Sequence, residues 1–326
     1  MERPTRQSRL VDILVIGEIN PDIIVTHPGL TPVFGQVETI VNEVRLCVGS
    51  SSVITCCGAA RLGLRTAFVG VVGDDLFGKY MLTEMSERGV DTAECIVDTD
   101  QPTGISVILS RGNDRAILTS LGTISALRAD QVPRTLFQQA CHVHVGSYYL
   151  QSAIRPDLLG LLSEARASGA TISVDCNWDP AETWTGIDDL LPVTDIFFLN
   201  EEEAHRITGL KAGEKAAQTL VESTAARAGH PLLVALKQGG RGALLAMKNG
   251  IVRAAAPSVK VIDTTGAGDS FNAGFLYGWI SGWEPPQCLR LAVACGSLST
   301  RKVGGVESQP ELPEAMDFLP RQDDVS

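Results

Sequence analysis

The stretch DTTGAGDSFNAGF, Asp263–Phe275, joins a glycine-rich turn to a segment with the composition of a helix. Its small residues would allow backbone N–H groups to approach a ligand closely, and N–H groups at a helix start attract anions. Asp269 lies directly after the glycines, where its charge would repel a phosphate that was only being bound. A carboxylate there suits a group that accepts a proton from an attacking hydroxyl. Helix capping is the simpler alternative.

Elsewhere in the chain, short apolar runs alternate with helix-compatible segments. This order predicts a mostly parallel sheet with helices on both of its faces. The predicted strands are Val11–Ile19, Thr66–Val72, His142–Val145, Thr171–Val174, Thr194–Leu199 and Pro231–Lys237. The predicted helices are Ser52–Leu62, Leu76–Arg88, Pro156–Ser168 and Lys215–Ala228.

Two regions interrupt this alternation. Asp22–Val48 mixes turn residues with β-branched alternation, and Thr103–Ser120 has the pattern of a hairpin that turns at Gly112-Asn113-Asp114. We expect both to form a small β-sheet lid, from about residues 22–48 and 100–122, although an ordinary edge hairpin is the alternative. A second hairpin is predicted over Ala243–Ala255. With no linker or internal repeat, residues 1–326 are interpreted as a single domain.

Composition limits the classes of partner. The chain has 326 residues, is 44% hydrophobic and carries a formal net charge of -11, which disfavours nucleic acid and anionic membranes as partners. Its eight cysteines form no C-x-x-C pair and lie mostly among apolar residues, as expected for buried thiols in a reducing compartment. The start of the chain lacks the apolar run of a signal peptide, and no apolar stretch reaches about 18 residues. These features predict a cytoplasmic protein.

Several motifs, in the same order along the chain, resemble those of the ribokinase (PfkB) carbohydrate kinase family. They are the opening stretch, the segment Gly49–Met81, VDCNWDP (Val174–Pro180), NEEE (Asn200–Glu203) and KQGGRG (Lys237–Gly242). The similarity covers about residues 11–310. It implies a ribokinase-like three-layer α/β/α domain with a mostly parallel central sheet and a small β-sheet lid. It also implies ATP-dependent phosphorylation of a hydroxyl group on a sugar, sugar acid or related polyol, and a homodimer formed through the lid.

The resemblance assigns roles to the opening stretch and to the nucleotide end of the site. Asp269 matches the catalytic base of the family, and the glycine turn before it matches the anion hole. The positions that match the anion hole are Gly266, Ala267 and Gly268. The positions that match nucleotide-binding residues are Asn200, Lys237, Gly239, Gly242 and Gly268.

Two cations are implied in the same way. Glu203 matches the acidic residue of an N-x-x-E motif associated with Mg²⁺, held through water, which suits an ion that usually keeps several waters. A charge in the first turn of a helix is the alternative for Glu203. Asp263 and Thr265 match a K⁺ site present in some members, and a turn-forming aspartate is the alternative there.

The acceptor end departs from the family pattern. Asn20 and Asp22 match an N-x-D motif that holds sugar hydroxyls, and an amide and a carboxylate suit a polyol. The following loop has Ser50 where a second glycine is usual and Ile54 where an asparagine is usual, so the serines would have to supply hydroxyl contacts. The expected substrate-binding positions are Asn20, Asp22, Gly49, Ser50, Ser51 and Ile54.

Other interpretations remain open at this stage. A nucleoside kinase of the same family would be favoured if Ile54 and the pair Tyr148-Tyr149 contacted a base. A non-catalytic member that binds sugar or nucleotide is the third hypothesis, which the presence of Asp269 disfavours. No P-loop motif and no G-x-G-x-x-G after the first strand occur, so these two nucleotide-binding folds are excluded.

Overall fold

A computed structural model describes residues 9–111 and 114–319 of the chain. The predicted turn at Gly112-Asn113 lies outside the described residues. The strands are β1 (Val11–Ile16), β2 (Pro21–Thr26), β3 (Glu43–Val48), β4 (Thr66–Val69), β5 (Val71–Gly73), β6 (Val90–Asp91), β7 (Ile96–Asp98), β8 (Ile105–Arg111), β9 (Asp114–Ser120), β10 (Ala140–Val145), β11 (Thr171–Asp175), β12 (Ile196–Asn200), β13 (Leu233–Lys237), β14 (Ala243–Met247) and β15 (Gly250–Ala254). The α-helices are α1 (Ser51–Arg61), α2 (Leu76–Glu87), α3 (Thr135–Gln139), α4 (Leu158–Ala167), α5 (Ile187–Leu190), α6 (Glu201–Thr208), α7 (Gly213–Ala225), α8 (Ala267–Ile280), α9 (Pro285–Ser299) and α10 (Leu312–Asp317).

The main sheet has nine strands in the order β15-β14-β13-β12-β11-β10-β1-β4-β6. Its pairings are parallel except at the β13-β14-β15 edge, where the predicted hairpin forms with Met247 opposite Gly250. Both faces are covered, because alternate residues of one strand enter different cores. On β12, Phe197 belongs to the core that contains α4 and α7, and Phe198 to the core that contains α1, α8 and α9. The predicted fold class is confirmed.

Two strand predictions need correction. The run predicted as Val11–Ile19 leaves the sheet after Ile16, and the run predicted as Thr66–Val72 divides at Gly70 into β4, in the main sheet, and β5, which pairs with β7. A Cβ atom at Gly70 would come within 2.6 Å of the carbonyl oxygen of Gly17. Glycine is therefore required where two chain segments cross closely, a tertiary contact that strand composition does not reveal.

The small sheet has four strands in the order β3-β2-β8-β9 and combines the two regions that interrupt the alternation. Its register divides it into two faces. The inner face carries Asp22, which lies opposite Ser106. It also carries Arg115, which lies on β9 two residues before Ile117 and therefore on the same face as that residue. The outer face has a cross-strand apolar row that consists of Leu46, Ile23, Val107 and Leu118.

The described residues also bear on two predictions from composition. All eight cysteines are free thiols, and all but Cys95 are buried. Across the described part of the chain, none of the helices combines the length and the apolar character needed to cross a membrane.

Candidate active site

A cavity of about 700 Å³ lies where β11, β12 and β13 end and α8 begins. In open α/β sheets, ligands bind at the carboxyl ends of the strands. Asp175, Asn200 and Lys237 are the last residues of these three strands. The predicted site residues that line the cavity are Ser51, Asn200, Glu203, Lys237, Gly239, Gly242, Gly266, Ala267, Gly268 and Asp269.

The glycine turn before α8 takes a backbone conformation that only glycine adopts easily. Gly266 has φ 70°, and a Cβ atom there would lie 2.7 Å from Cα of Gly305. The N–H of Ala267 donates to the carbonyl oxygen of Thr264 at 3.2 Å, so this amide closes the turn. The amides of Gly268 and Asp269 follow in the first helical turn, where N–H groups have no acceptor within the helix. These two are the helix-start donors best suited to an anion.

Asp269 is half-buried at the cavity wall, which Ser51 also lines. Burial raises the pKa of Asp269 to about 7, and the negative charges of Asp175 and Glu18 add to the rise. The positive charge of Lys237 and the hydroxyl of Ser51 oppose this rise in pKa. A carboxyl group that titrates near neutral pH is well matched to accepting and releasing a proton.

A buried ion pair supports the cavity floor. Nζ of Lys237 lies 2.8 Å from Oδ2 of Asp175, and Nδ2 of Asn272 donates to the same oxygen at 2.6 Å. Burial alone would raise the pKa of Asp175, but Lys237 and Asn272 lower it below its usual value. Burial alone would lower the pKa of Lys237, but Asp175, Glu203 and Asp269 raise it. The pair is therefore fully charged at neutral pH, with the ammonium group beside the start of α8.

Asn200 and Glu203 form a reciprocal cap at the start of α6. Oδ1 of Asn200 accepts from the N–H of Glu203 at 2.9 Å, and Oε2 of Glu203 accepts from the N–H of Asn200 at 2.8 Å. Burial raises the pKa of Glu203 to about 7, and the charge of Asp175 adds to this. Glu203 therefore has the alternative role of a residue in the first turn of a helix. The cap uses only Oε2, so Oε1 of this cavity-lining carboxylate lies outside it.

A direct metal cluster does not fit this corner well. Ligand atoms of Asp175, Cys176 and Glu203 lie within 4.8 Å of one another. However, Lys237 already neutralises Asp175, and burial raises the pKa of the Cys176 thiol, so the sulfur stays protonated. Mg²⁺ prefers oxygen ligands and retains water. Glu203 acting through water is the arrangement that fits.

Asp263 and Thr265 form a tight turn. Oδ1 of Asp263 accepts from the N–H and the hydroxyl of Thr265 at 2.9 and 2.8 Å, and Oδ2 accepts from the N–H of Gly304 at 2.9 Å. Nη1 of Arg115 lies 3.4 Å from the Thr265 hydroxyl oxygen, where its charge disfavours a neighbouring cation. These contacts are those of a turn-forming aspartate, and the K⁺ site stays a prediction.

The predicted acceptor residues lie where the small sheet joins the main sheet. Nδ2 of Asn20 is 3.3 Å from Oδ1 of Asp22, and a Cβ atom at Gly49 would come within 2.3 Å of that oxygen. Burial raises the pKa of Asp22 to about 7, with Arg115 opposing and Glu18 adding to the rise. Glycine at position 49 therefore makes room for the Asp22 carboxyl group.

Only one of the loop residues proposed to contact substrate faces the cavity. Ser50 caps α1: its Oγ accepts from the N–H of Val53 at 3.0 Å and lies 2.7 Å from the carbonyl oxygen of Glu18. Ile54 is buried under the glycine turn, 3.0 Å from where a Cβ atom of Gly266 would lie. Ser51 lines the cavity. Ser50 and Ile54 thus make structural contacts, and the substrate contacts expected for them stay a prediction.

The nucleotide-side glycines differ in what requires them. Gly242 has φ 97°, and a Cβ atom there would lie 2.0 Å from the carbonyl oxygen of Ala254, so the hairpin itself needs glycine. Gly239 has φ 58° with open space around it. Beyond them the cavity wall is mainly apolar, with Val259 and Val293 among its residues.

Several cavity residues were missed at the sequence level. Asp175 and Asn177 lie in the VDCNWDP motif, directly after a predicted strand, and that position was an available signal. Arg115, on β9, lines the cavity from the small sheet, and no local pattern indicated this.

Tyr148 and Tyr149 are buried and pack edge-to-face at 5.0 Å. They therefore do not provide a stacking surface for a base.

Comparisons with known proteins agree with this geometry. The family model described as pfkB family carbohydrate kinase matches residues 11–312. The 2-dehydro-3-deoxygluconokinase of Bacillus subtilis (strain 168) is 29% identical over 303 residues, which cover 89% of this chain and 91% of that protein. The ribokinase of Haemophilus influenzae is 28% identical over 310 residues, 94% of this chain and 98% of that one. A candidate ribokinase II from E. coli, in complex with ATP and Mg²⁺, superposes with a TM-score of 0.82 at 24% identity, covering 95% and 99% of the two chains.

Proposed function

The chain belongs to the pfkB family of carbohydrate kinases, and on that premise we propose that it transfers the γ-phosphoryl group of ATP to a hydroxyl group of a sugar acid. The observation that carries the proposal is the position of Asp269, beside the helix-start amides and Lys237 in one cavity. Asp269 takes the proton of the attacking hydroxyl. The amides of Gly268 and Asp269 and the ammonium of Lys237 stabilise the charge on the transferring group.

ATP would lie along the loop that follows β13. Asn200, Gly239, Val259 and Val293 line the cavity there; the first two would border the phosphates, and the two valines would offer an apolar wall to the base. Mg²⁺, when bound, neutralises charge on the β- and γ-phosphates, and Glu203 would hold it through water. The E. coli structure with ATP and Mg²⁺ supports this choice of cofactors. A K⁺ ion near Asp263 remains part of the proposal, as does a reducing, cytoplasmic location supported by the free thiols.

Arg115 favours an acidic acceptor. It lies on the inner face of the small sheet, lines the cavity and opposes the rise in the pKa of Asp22, which is the proposed partner of acceptor hydroxyls. A guanidinium group pairs with a carboxylate in a bidentate manner. One relative is named as a deoxygluconokinase, which agrees with a sugar acid, and another as a ribokinase. A neutral sugar is therefore the second candidate.

The proposed function is tested by an acceptor panel. Transfer from ATP would be measured with sugar acids, neutral sugars and nucleosides, with and without K⁺. We expect the highest kcat/KM for a sugar acid. A preference for nucleosides would refute the proposed acceptor, and absence of transfer to every acceptor would favour a non-catalytic binding protein.

Replacing the arginine should separate the two acceptor classes. Arg115→Gln is expected to lower kcat/KM for the sugar acid by about 10- to 100-fold, because a hydrogen-bonded charge pair contributes about 1.5–3 kcal/mol. Turnover of a neutral sugar should change little. Arg128→Gln, which alters an exposed arginine paired with Asp130, is the control. Equal losses for both acceptor classes would contradict a carboxylate-binding role.

We also propose a homodimer through the outer face of the small sheet. Leu46, Ile23, Val107 and Leu118 form a continuous row there, and Leu46 and Leu118 are 45% and 61% exposed. Apolar rows of this kind on an open sheet are typical of interfaces. Leu118→Lys should convert a dimer to a monomer in light-scattering measurements. Leu159→Lys, at an exposed position of α4, should not change the mass. An unchanged mass for Leu118→Lys would refute the interface.

A further inference from the structure

Asn177 links the loop after β11 to the start of α1. Its Nδ2 atom lies 2.9 Å from Oγ of Ser51 and 3.2 Å from Oγ of Ser147. Its Oδ1 atom accepts from the N–H of Trp178 at 3.0 Å, which fixes the orientation of the amide group. Each of the two amide hydrogens therefore points to a different serine, and both serine oxygens act as acceptors from Asn177.

This arrangement also fixes where the serine hydrogens point. Because Oγ of Ser51 accepts from Asn177, its own hydrogen is left to donate, and the Ser51 hydroxyl lowers the pKa of Asp269, which lines the same cavity. Ser147 uses its hydrogen for Oε1 of Glu18, 2.9 Å away. One neutral amide thus orients two hydroxyl groups toward two carboxylates.

Glu18 anchors the far end of the network. It is only 3% exposed, and its side chain also accepts from the hydroxyl of Ser52 at 2.6 Å. Ser50, whose Oγ lies 3.0 Å from Oε1 of Glu18, belongs to the same network, and Ser50, Ser147 and Asn177 have φ values of 66°, 48° and 52°. Positive φ costs free energy in residues other than glycine, and such strain persists where the surrounding structure enforces it.

We infer that Ser51 and Asn177 are positioning residues for Asp269, with Glu18 as their anchor. Asn177 holds the Ser51 hydroxyl as a donor to one carboxylate oxygen, which leaves the other oxygen to face the acceptor hydroxyl. The inference rests on the proposed role of Asp269 as base. Ser51 then orients the base, whereas the sequence led us to expect that it binds the substrate.

The consequence is measurable without turnover. A hydrogen bond to the ionised form of a carboxyl group lowers its pKa. Ser51→Ala should therefore raise the pKa of Asp269 above its value of about 7, by a few tenths to about one pH unit. The measurement is a ¹³C NMR titration of aspartate carboxyl groups in the unliganded protein, with the Asp269 signal assigned by its loss in Asp269→Asn.

Matched variants separate positioning from other effects. Ser51→Thr keeps the hydroxyl and should restore the wild-type titration. Asn177→Gly removes the amide while tolerating φ 52° and should shift the pKa in the same direction as Ser51→Ala. Ser163→Ala removes an exposed helix serine and should shift nothing.

Kinetics give an independent check. In Ser51→Ala, the lower apparent pKa in the pH profile of kcat/KM should rise by the same amount as the pKa of Asp269 measured by NMR. KM for the acceptor should change little. An unshifted Asp269 titration, or a rise in acceptor KM with kcat intact, would overturn the inference in favour of substrate binding by Ser51. The NMR result stands apart from catalysis, so full turnover by Asp269→Asn would refute the proposed function on separate grounds.

Discussion

Asp269→Asn is expected to lower kcat by about 10²- to 10⁴-fold, because the variant retains the shape of the carboxyl group but cannot accept a proton. ATP binding should persist, since the helix-start amides and Lys237 remain in place. The measurements are steady-state phosphoryl transfer and calorimetric titration with ATP. Near wild-type turnover would refute the assignment of Asp269 as base.

The same variant should become more stable than the wild type as pH rises. Burial raises the pKa of Asp269 from its ordinary value of 3.8 to about 7, so the folded protein holds this proton more tightly than the unfolded chain. Stability contributed by the protonated group is complete below about pH 4 and is lost as pH rises through about 7. Asparagine is always neutral and avoids the loss. Thermal unfolding at a series of pH values between 4 and 8 measures the difference.

A matched control is available in α5. Asp188→Asn makes the same chemical change in the first turn of a helix, at an exposed position outside the cavity. It should alter neither kcat nor the pH dependence of unfolding. A stability gain of equal size in both variants would mean that burial of Asp269 is not its cause.

Lys237→Met is expected to destabilise the fold by about 3–5 kcal/mol, because it leaves the buried carboxylate of Asp175 without its partner. Methionine has a similar length, so the loss of charge dominates over the loss of volume. The measurement is urea unfolding at pH 7. A cost below about 1 kcal/mol, the range of exposed pairs, would contradict the buried-pair interpretation.

Two variants test the origin of that cost. Arg241→Met breaks an exposed ion pair with Glu201 and should cost only about 0–1 kcal/mol. The double variant Lys237→Met with Asp175→Asn removes both charges and should recover part of the lost stability, since the uncompensated charge is gone. Failure to recover any stability would indicate that packing of the lysine stem, and not its charge, is responsible.

The fold and the position of the glycine turn at the cavity were predictable from sequence because they depend on local patterns. Alternating apolar runs predicted the main sheet, and the ordered glycines before Asp269 predicted a helix start, which lies at the cavity wall. The interruption at Thr103–Ser120 predicted the small sheet. In each case, residues close together in sequence carry the structural information.

The remaining features depend on contacts between distant segments. Lys237 and Asp175 meet only after β11 and β13 take their places in the sheet, and Arg115 reaches the cavity only through the register of β9. Ile54 was interpreted from its chemical type alone. Its burial under Gly266 depends on how α1 packs against α8, which no local pattern specifies.

The residues proposed for phosphoryl transfer and those proposed for acceptor binding lie in different sheets, which bears on how such enzymes diversify. Asp269 and Lys237 belong to the main sheet and its helices, whereas Asp22 and Arg115 belong to the small sheet. If these residues act as proposed, mutations in the small sheet can retarget the acceptor while the apparatus of phosphoryl transfer is inherited unchanged.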